Sequence, residues 1–313
     1  MPVVSTQELV LVTGKGGVGK TTLTAALARA AHRAGRRVLV TEVAPDVHNP
    51  SPVLGYFGKA QYREEEPVMI EPRLFGVRLT PPIGHRQFLR AALRVRLLVD
   101  TAMKSAALTR FLLAAPTFPE IGLLYQLVEL LRSKKFDQIF VDLPATGHAV
   151  ALASLPRVVH RILPSGLIGD AIGEGLEIMG DPRRTAAVVI TLPESMPVTE
   201  SVELIGAFAK CNIRVTSAIL NKLPPDPFTF EEREHLTTLI ETRRAAAEPR
   251  LFGTRELRRL ERAQSAQQKF HEVLPSSVAR FEVPLFEGLD HRRVAEEMEL
   301  SLNRPLRPSW EPR

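Results

Sequence analysis

Nine residues near the N-terminus, Gly14-Lys15-Gly16-Gly17-Val18-Gly19-Lys20-Thr21-Thr22, restrict the fold more than any other feature of the chain. They follow the apolar run Leu9-Val10-Leu11-Val12 and precede an alanine-rich segment with helical periodicity. The pattern G-x-x-x-x-G-K-[ST] therefore sits between a strand and a helix, as its chemistry requires. Glycines let the backbone curl until successive N–H groups point at one anion, and the helix beginning near Lys20 adds the positive end of its dipole. Lys20 then meets the outer phosphates of a nucleotide and Thr21 offers its hydroxyl to Mg²⁺. Gly14, Gly16, Gly17, Val18, Gly19 and Thr22 complete the cradle.

The rest of the chain alternates in the same way. Leu9–Thr13, Val38–Val43, Phe75–Leu79, Phe136–Asp142, Ala186–Leu192, Val215–Asn221 and Ala279–Leu285 read as strands, several apolar at nearly every position. Strands of that kind are covered on both faces, and helices between them imply parallel pairing. The expected fold is α/β, a doubly wound and mostly parallel sheet with helices on both faces and a small helical insertion subdomain. One domain over 1–302 is expected, with helical insertions at about 84–118 and 157–181 and a flexible, proline-rich tail at 303–313.

Asp142 closes the strand Phe136–Asp142 and precedes Leu143-Pro144-Ala145-Thr146-Gly147-His148. A carboxylate at a strand tip beside a phosphate loop orients Mg²⁺ or its waters. Lys15, one residue after the first glycine, is expected to point away from Lys20 and is placed to cross a dimer interface to the neighbouring nucleotide. The single cysteine, Cys211, excludes an intrachain disulfide, a four-thiolate zinc site and an iron–sulfur cluster within one protomer. Residues 1–8 have no basic stretch and no apolar run approaches a membrane span, so a cytoplasmic location without stable membrane insertion is expected. The formal charge of +6 is uneven, with eight basic residues against four acids from Glu241 to Lys269. A solvated helix face accounts for such a stretch, and nucleic acid is not the expected partner.

The loop at 14–22 resembles the deviant Walker A of the dimeric ATPases that include MinD, ParA, nitrogenase iron protein and the ArsA-like, anion-transporting group. Asp142 to His148, D-L-P-A-T-G-H, is similar to the ArsA-like switch II, D-T-A-P-T-G-H, in the register of Asp, Thr, Gly and His. The resemblance implies ATP and Mg²⁺ as ligands, hydrolysis of ATP, and a dimer that sandwiches two nucleotides, either a homodimer or a heterodimer with a related ATPase. It also implies a protein or hydrophobic client on the helical insertions. Lys15 looks like the signature lysine acting in trans. Thr146, Gly147 and His148 would sense the γ-phosphate, with His148 packing or hydrogen-bonding rather than moving a proton. Asn221, Pro284 and Leu285 would border the adenine.

The sequence departs from that pattern in switch I. The family writes T-D-P-A-H-N, whose Asp positions the attacking water; here the stretch is Thr41-Glu42-Val43-Ala44-Pro45-Asp46-Val47-His48-Asn49. Asp46 is the candidate and Glu42 the alternative. Two other functions stand beside the switch reading: a positioning ATPase of the ParA or MinD type on DNA or membrane, and an arsenite-pump energiser. The second needs soft thiolates, of which Cys211 supplies one per subunit.

Overall fold

The computed structural model describes residues 6–46, 48–92, 118–145, 149–154, 166–245 and 253–303. In chain order it contains β1 (Leu9–Gly14), α1 (Lys20–Arg33), β2 (Val38–Val43), α2 (Pro52–Gly55), β3 (Val68–Glu71) and β4 (Leu74–Leu79). These are followed by α3 (Pro81–Ala92), α4 (Phe118–Arg132), β5 (Gln138–Asp142), α5 (Gly166–Gly180), β6 (Thr185–Thr191) and α6 (Ser195–Lys210). The last elements are β7 (Val215–Leu223), α7 (Phe230–Ala245), α8 (Thr254–Val273), β8 (Ala279–Pro284) and α9 (His291–Asn303). The strands form one sheet in the order β3-β4-β2-β5-β1-β6-β7-β8, parallel throughout except for β3 against β4. The fold is the α/β arrangement that the strand–helix alternation implies.

Successive side chains of a strand point to opposite faces, and here both faces are dry. Leu9 and Leu11 enter one core with Leu39, Val77 and Val141, covered by α4, α5, α6 and α8. Val10 and Val12 enter the other with Val40, Phe140 and Ile190, covered by α1 and α9. Helix α1 buries Ala25, Ala26, Ala28, Ala30 and Ala31 beside Leu23 and Leu27, and these small side chains let it lie close to the sheet. Arg33 holds α9 to α1 through the buried carboxylate of Glu299 at 3.2 Å.

Strand β1 lies between β5 and β6, so chain that leaves its C-terminal end opens onto a crevice where the sheet order switches. The register sets one row of side chains at that end: Val12 beside Asp142, Asp142 beside Glu42, and Glu42 beside Arg78. Neighbours in such a row share a face. The phosphate loop, Asp142, Glu42 and Arg78 are thus gathered by sheet topology before any loop is considered.

The described parts of the two helical segments, α3 and α5, both pack on α4, and α5 also meets β6 directly. Residues 93–117, 155–165 and 304–313, which carry the rest of the insertions and the tail, lie outside the described residues. Strand β3 has no counterpart in the sequence reading. It is four residues long, with Met69 exposed at 59 % and only one sheet neighbour. Helices α3 and α4 cross at Gly84 and Gly122, where a Cβ on Gly84 would stand 2.1 Å from the Gly122 carbonyl oxygen. Gly84→Val is expected to destabilise the protein by about 1–3 kcal/mol through overpacking against rigid backbone. Chemical denaturation measures this; an unchanged midpoint and slope would contradict the packing.

Candidate functional site

Strand β1 ends at Gly14, where a Cβ would stand 2.3 Å from the carbonyl oxygen of Ile190 on β6, so only glycine lets the loop leave the sheet there. Gly19 precedes α1 in the left-handed region, φ 92°, and a Cβ on it would meet Asn221 Nδ2 at 2.5 Å. Between them, a side chain at Gly16 or Gly17 would meet nothing within 4 Å, which leaves the outer face of the loop open to an anion. No side chain caps α1 and its first turn carries no acid. Its leading N–H groups are thus available to a phosphate, with the dipole favouring negative charge.

Strand β7 supports the loop from beneath. Asn221, fully buried, donates from Nδ2 to the Val18 carbonyl oxygen at 2.7 Å, and Lys222 donates from Nζ to the Gly17 carbonyl oxygen at 3.1 Å. Lys222 adopts φ 60°, unusual for a residue with a side chain, where the β7–β8 register shifts between Leu220 and Leu223. Pro284 ends β8 next to Leu223, and the Leu285 N–H donates to the Leu223 carbonyl oxygen at 2.7 Å. Asn221, Pro284 and Leu285 therefore lie at the adjoining ends of β7 and β8. Among them Asn221 touches the phosphate loop itself.

At the other side of the loop, Thr21 donates from its hydroxyl to Asp142 Oδ2 at 2.6 Å. Lys20 donates from Nζ to the Lys15 carbonyl oxygen at 3.0 Å. The second oxygen of Asp142, Oδ1, is buried without a hydrogen-bond partner. Burial, reinforced by the neighbouring Glu42 carboxylate, pushes the Asp142 carboxyl up to about 6 against the pull of Thr21, Lys20 and the nearby Thr24 hydroxyl. Burial also lowers the Lys20 ammonium, opposed by Asp142. The two groups are each other's counter-charge, but burial outweighs that attraction for both. A divalent cation at Thr21 and Asp142 and a polyanion at Lys20 would add to it, so the donor set fits Mg²⁺ and nucleotide phosphates.

A cleft of about 330 Å³ opens over this pair, lined by Lys20, Thr21, Glu42, Asp46, Arg78 and Asp142 among others. The two acids offered for switch I are here in different states. Asp46 sits at the mouth, its Oδ1 accepting the His48 N–H at 2.7 Å; that bond, first among several causes, holds its carboxyl below the usual range. Glu42 is buried, with Arg78 Nε 3.0 Å from its Oε1 and the Val53 N–H donating to its Oε2 at 3.0 Å. Lys15 points the other way and pairs with Glu200 on α6 at 2.7 Å. Thr22 shares a hydrogen bond of 2.7 Å with the hydroxyl of Tyr56, which lines a second cleft, of about 630 Å³, reaching from Thr21 to Asp290 and Arg292. Thr146, Gly147 and His148 lie outside the described residues.

Arg78, Tyr56 and Glu200 were not found from sequence. Arg78 alone left a signal, a charge inside the apolar strand Leu74–Leu79, since such a residue needs a buried partner. No helix among the described residues is long and apolar enough to cross a membrane.

A model of the anion-transporting ATPase family matches residues 7–167 and 169–247 of the chain. The chain is 26% identical over 234 residues to the ATPase BagA of Mycobacterium tuberculosis, covering 70% of this chain and 66% of that one. It is 24% identical over 257 residues to an ATPase ASNA1 homolog of Babesia bovis, covering 70% and 67%. It is 27% identical over 219 residues to the arsenical pump-driving ATPase of Escherichia coli, covering 68% and 34%. The matched region thus spans just under two thirds of the mycobacterial relative and about a third of the bacterial pump ATPase.

The state of Asp142 has a measurable consequence without ligand. Its folded carboxyl titrates near 6 and its unfolded one near 3.8, so the folded protein keeps a proton that the unfolded chain has already lost. Stability therefore falls as pH rises through that window and stays lower above it. In metal- and nucleotide-free solution, Asp142→Asn should exceed the parent in stability by about 2–3 kcal/mol at pH 7.5, narrowing by about 1 kcal/mol at pH 5. Parallel denaturation curves for the two proteins across that range would contradict the assignment.

Proposed function

The chain belongs to the anion-transporting ATPase family, and from that membership we propose that it binds Mg-ATP, hydrolyses it to ADP and phosphate, and couples nucleotide state to a two-subunit assembly. The observation that carries the reading is the convergence of Lys20, Thr21 and Asp142 on one cleft below an uncapped helix end. The loop N–H groups and Lys20 bind the phosphates and stabilise charge that develops during transfer. Thr21 and Asp142 would hold Mg²⁺, which when bound would supply positive charge for the phosphate oxygens. Asp46, ionised and at the cleft mouth, orients the attacking water; Glu42 is the alternative acid. Asn221, Pro284 and Leu285 form the adenine side of the site, and Thr146, Gly147 and His148 respond to the γ-phosphate.

Lys15 acts in trans on the nucleotide of a second subunit, either another copy of this chain or a related ATPase. For this it must leave Glu200, and both side chains are substantially exposed, 49 % and 35 %. Such a pair is worth about 1 kcal/mol or less, which nucleotide binding readily offsets. A protein or hydrophobic client on the helical segments, implied by the resemblance to the ArsA-like ATPases, belongs to the same proposal. The pump-driving relative raises a metalloid reading, but a soft metalloid needs several thiolates and the chain has one.

Calorimetry, steady-state turnover and light scattering test the assignment together. Lys20→Ala should lose ATP binding. Asp46→Asn should keep binding and lose about tenfold or more in kcat. Lys15→Ala should bind ATP but fail to dimerise with ADP and a γ-phosphate mimic. Unchanged binding and turnover in Lys20→Ala would refute the site. Full turnover in Asp46→Asn together with loss in Glu42→Gln would transfer the water-orienting role to Glu42.

A further inference from the structure

Glu42 and Arg78 lie on adjacent strands, in register, at the C-terminal ends of β2 and β4. Their side chains are 6 % and 4 % exposed, and Arg78 Nε lies 3.0 Å from Glu42 Oε1 as paired charges rather than as an aligned hydrogen bond. Arg78 also reaches into the loop that carries Asp46, and Glu42 reaches the first turn of α2, where that loop ends. Arg78 donates from Nη1 to the Asn49 carbonyl oxygen at 2.8 Å, and Glu42 Oε2 accepts the Val53 N–H at 3.0 Å. A third attachment, the Ala44 N–H to the Leu79 carbonyl oxygen at 2.9 Å, fixes the start of the loop to β4. Asp46 sits between the first and second of these pins in chain order, and lines the same cleft as Arg78, Lys20 and Asp142.

A buried ion pair is a poor way to gain stability, since apolar residues of similar volume usually match or exceed it. What it supplies is direction. A guanidinium is a planar fork with several donors in fixed geometry, so one head group can hold a carboxylate and a carbonyl at once. We propose that Arg78, seated on Glu42, is a positioning residue for hydrolysis: it fixes the loop through Asn49 so that Asp46 faces the phosphate cleft. Glu42 then serves as the buried seat of this strut, at the cleft wall, rather than as the residue that orients water. The inference rests on the role proposed above for Asp46 and goes beyond it by naming what holds that residue in place.

If Arg78 acts through Asp46, removing it should matter only while Asp46 is competent. Arg78→Met should lower kcat about tenfold or more while the Kd for Mg-ATP changes by about threefold or less. In an Asp46→Asn background the same substitution should change kcat by about twofold or less. Arg78→Lys, which keeps the charge but not the fork, should fall between, and replaces the Met variant in the cycle if that one does not fold. Hydrogen exchange should quicken at Ala44, Asn49 and Val53 in the Arg78 variants and stay unchanged in α1. Equal, multiplicative losses in both backgrounds, or unaltered exchange in the loop, would overturn the strut while leaving the Asp46 role intact. A parental kcat in Asp46→Asn alone would overturn the Asp46 role, and the strut's action through it as well.

Discussion

The bond from Asn221 Nδ2 to the Val18 carbonyl oxygen is the contact on which the rest of the site depends. A phosphate loop must present its N–H groups outward, so its carbonyls turn inward and need donors in the protein interior. Asn221 satisfies Val18 and Lys222 satisfies Gly17, both from one strand end where the β7–β8 register breaks. The left-handed backbone at Lys222 is the local cost of that arrangement, of order 1 kcal/mol or more. With the inner face anchored and Gly14 pressed against Ile190, the outer face is empty and α1 starts with its N–H groups uncapped. The direction of α1 in turn decides that Thr21 meets Asp142.

On the opposite side the site holds an electrostatic debt: Asp142 is buried beside Glu42, and one of its oxygens has no partner. Arg78 pairs with Glu42, which leaves the half-buried Lys20 ammonium as the counter-charge of Asp142. Without ligand the protein therefore carries at its centre a carboxylate whose ionisation burial has shifted up to about 6. A divalent cation would favour the ionised form, and the proposed metal site would then rest on the same row of side chains that the sheet register assembles.

Much of this was legible in sequence because the underlying patterns are local. The strand–glycine loop–helix pattern, the apolar parallel strands and Asp142 at a strand tip each depend on a few adjacent residues. Strand β3 was missed because it is short, at a sheet edge and half polar, with pairing supplied by β4. Asp46 and Glu42 could not be separated, since both acids fall within one short stretch. Their difference comes from Arg78, which is distant in sequence and arrives by β2–β4 register. Asn221 was read as an adenine neighbour from resemblance, whereas its bond to Val18 is a tertiary contact that no spacing rule predicts.

The central claim, that Thr21 and Asp142 form a metal-dependent nucleotide site, is tested most directly by calorimetric titration of ATP with Mg²⁺ and with a chelator, on the parent and on Thr21→Ala. The account predicts that Mg²⁺ tightens ATP binding to the parent by about tenfold or more, and that Thr21→Ala loses that increment while keeping its metal-free affinity. Equal affinity for ATP with and without Mg²⁺ in the parent, or an undiminished Mg²⁺ effect in the variant, would contradict it.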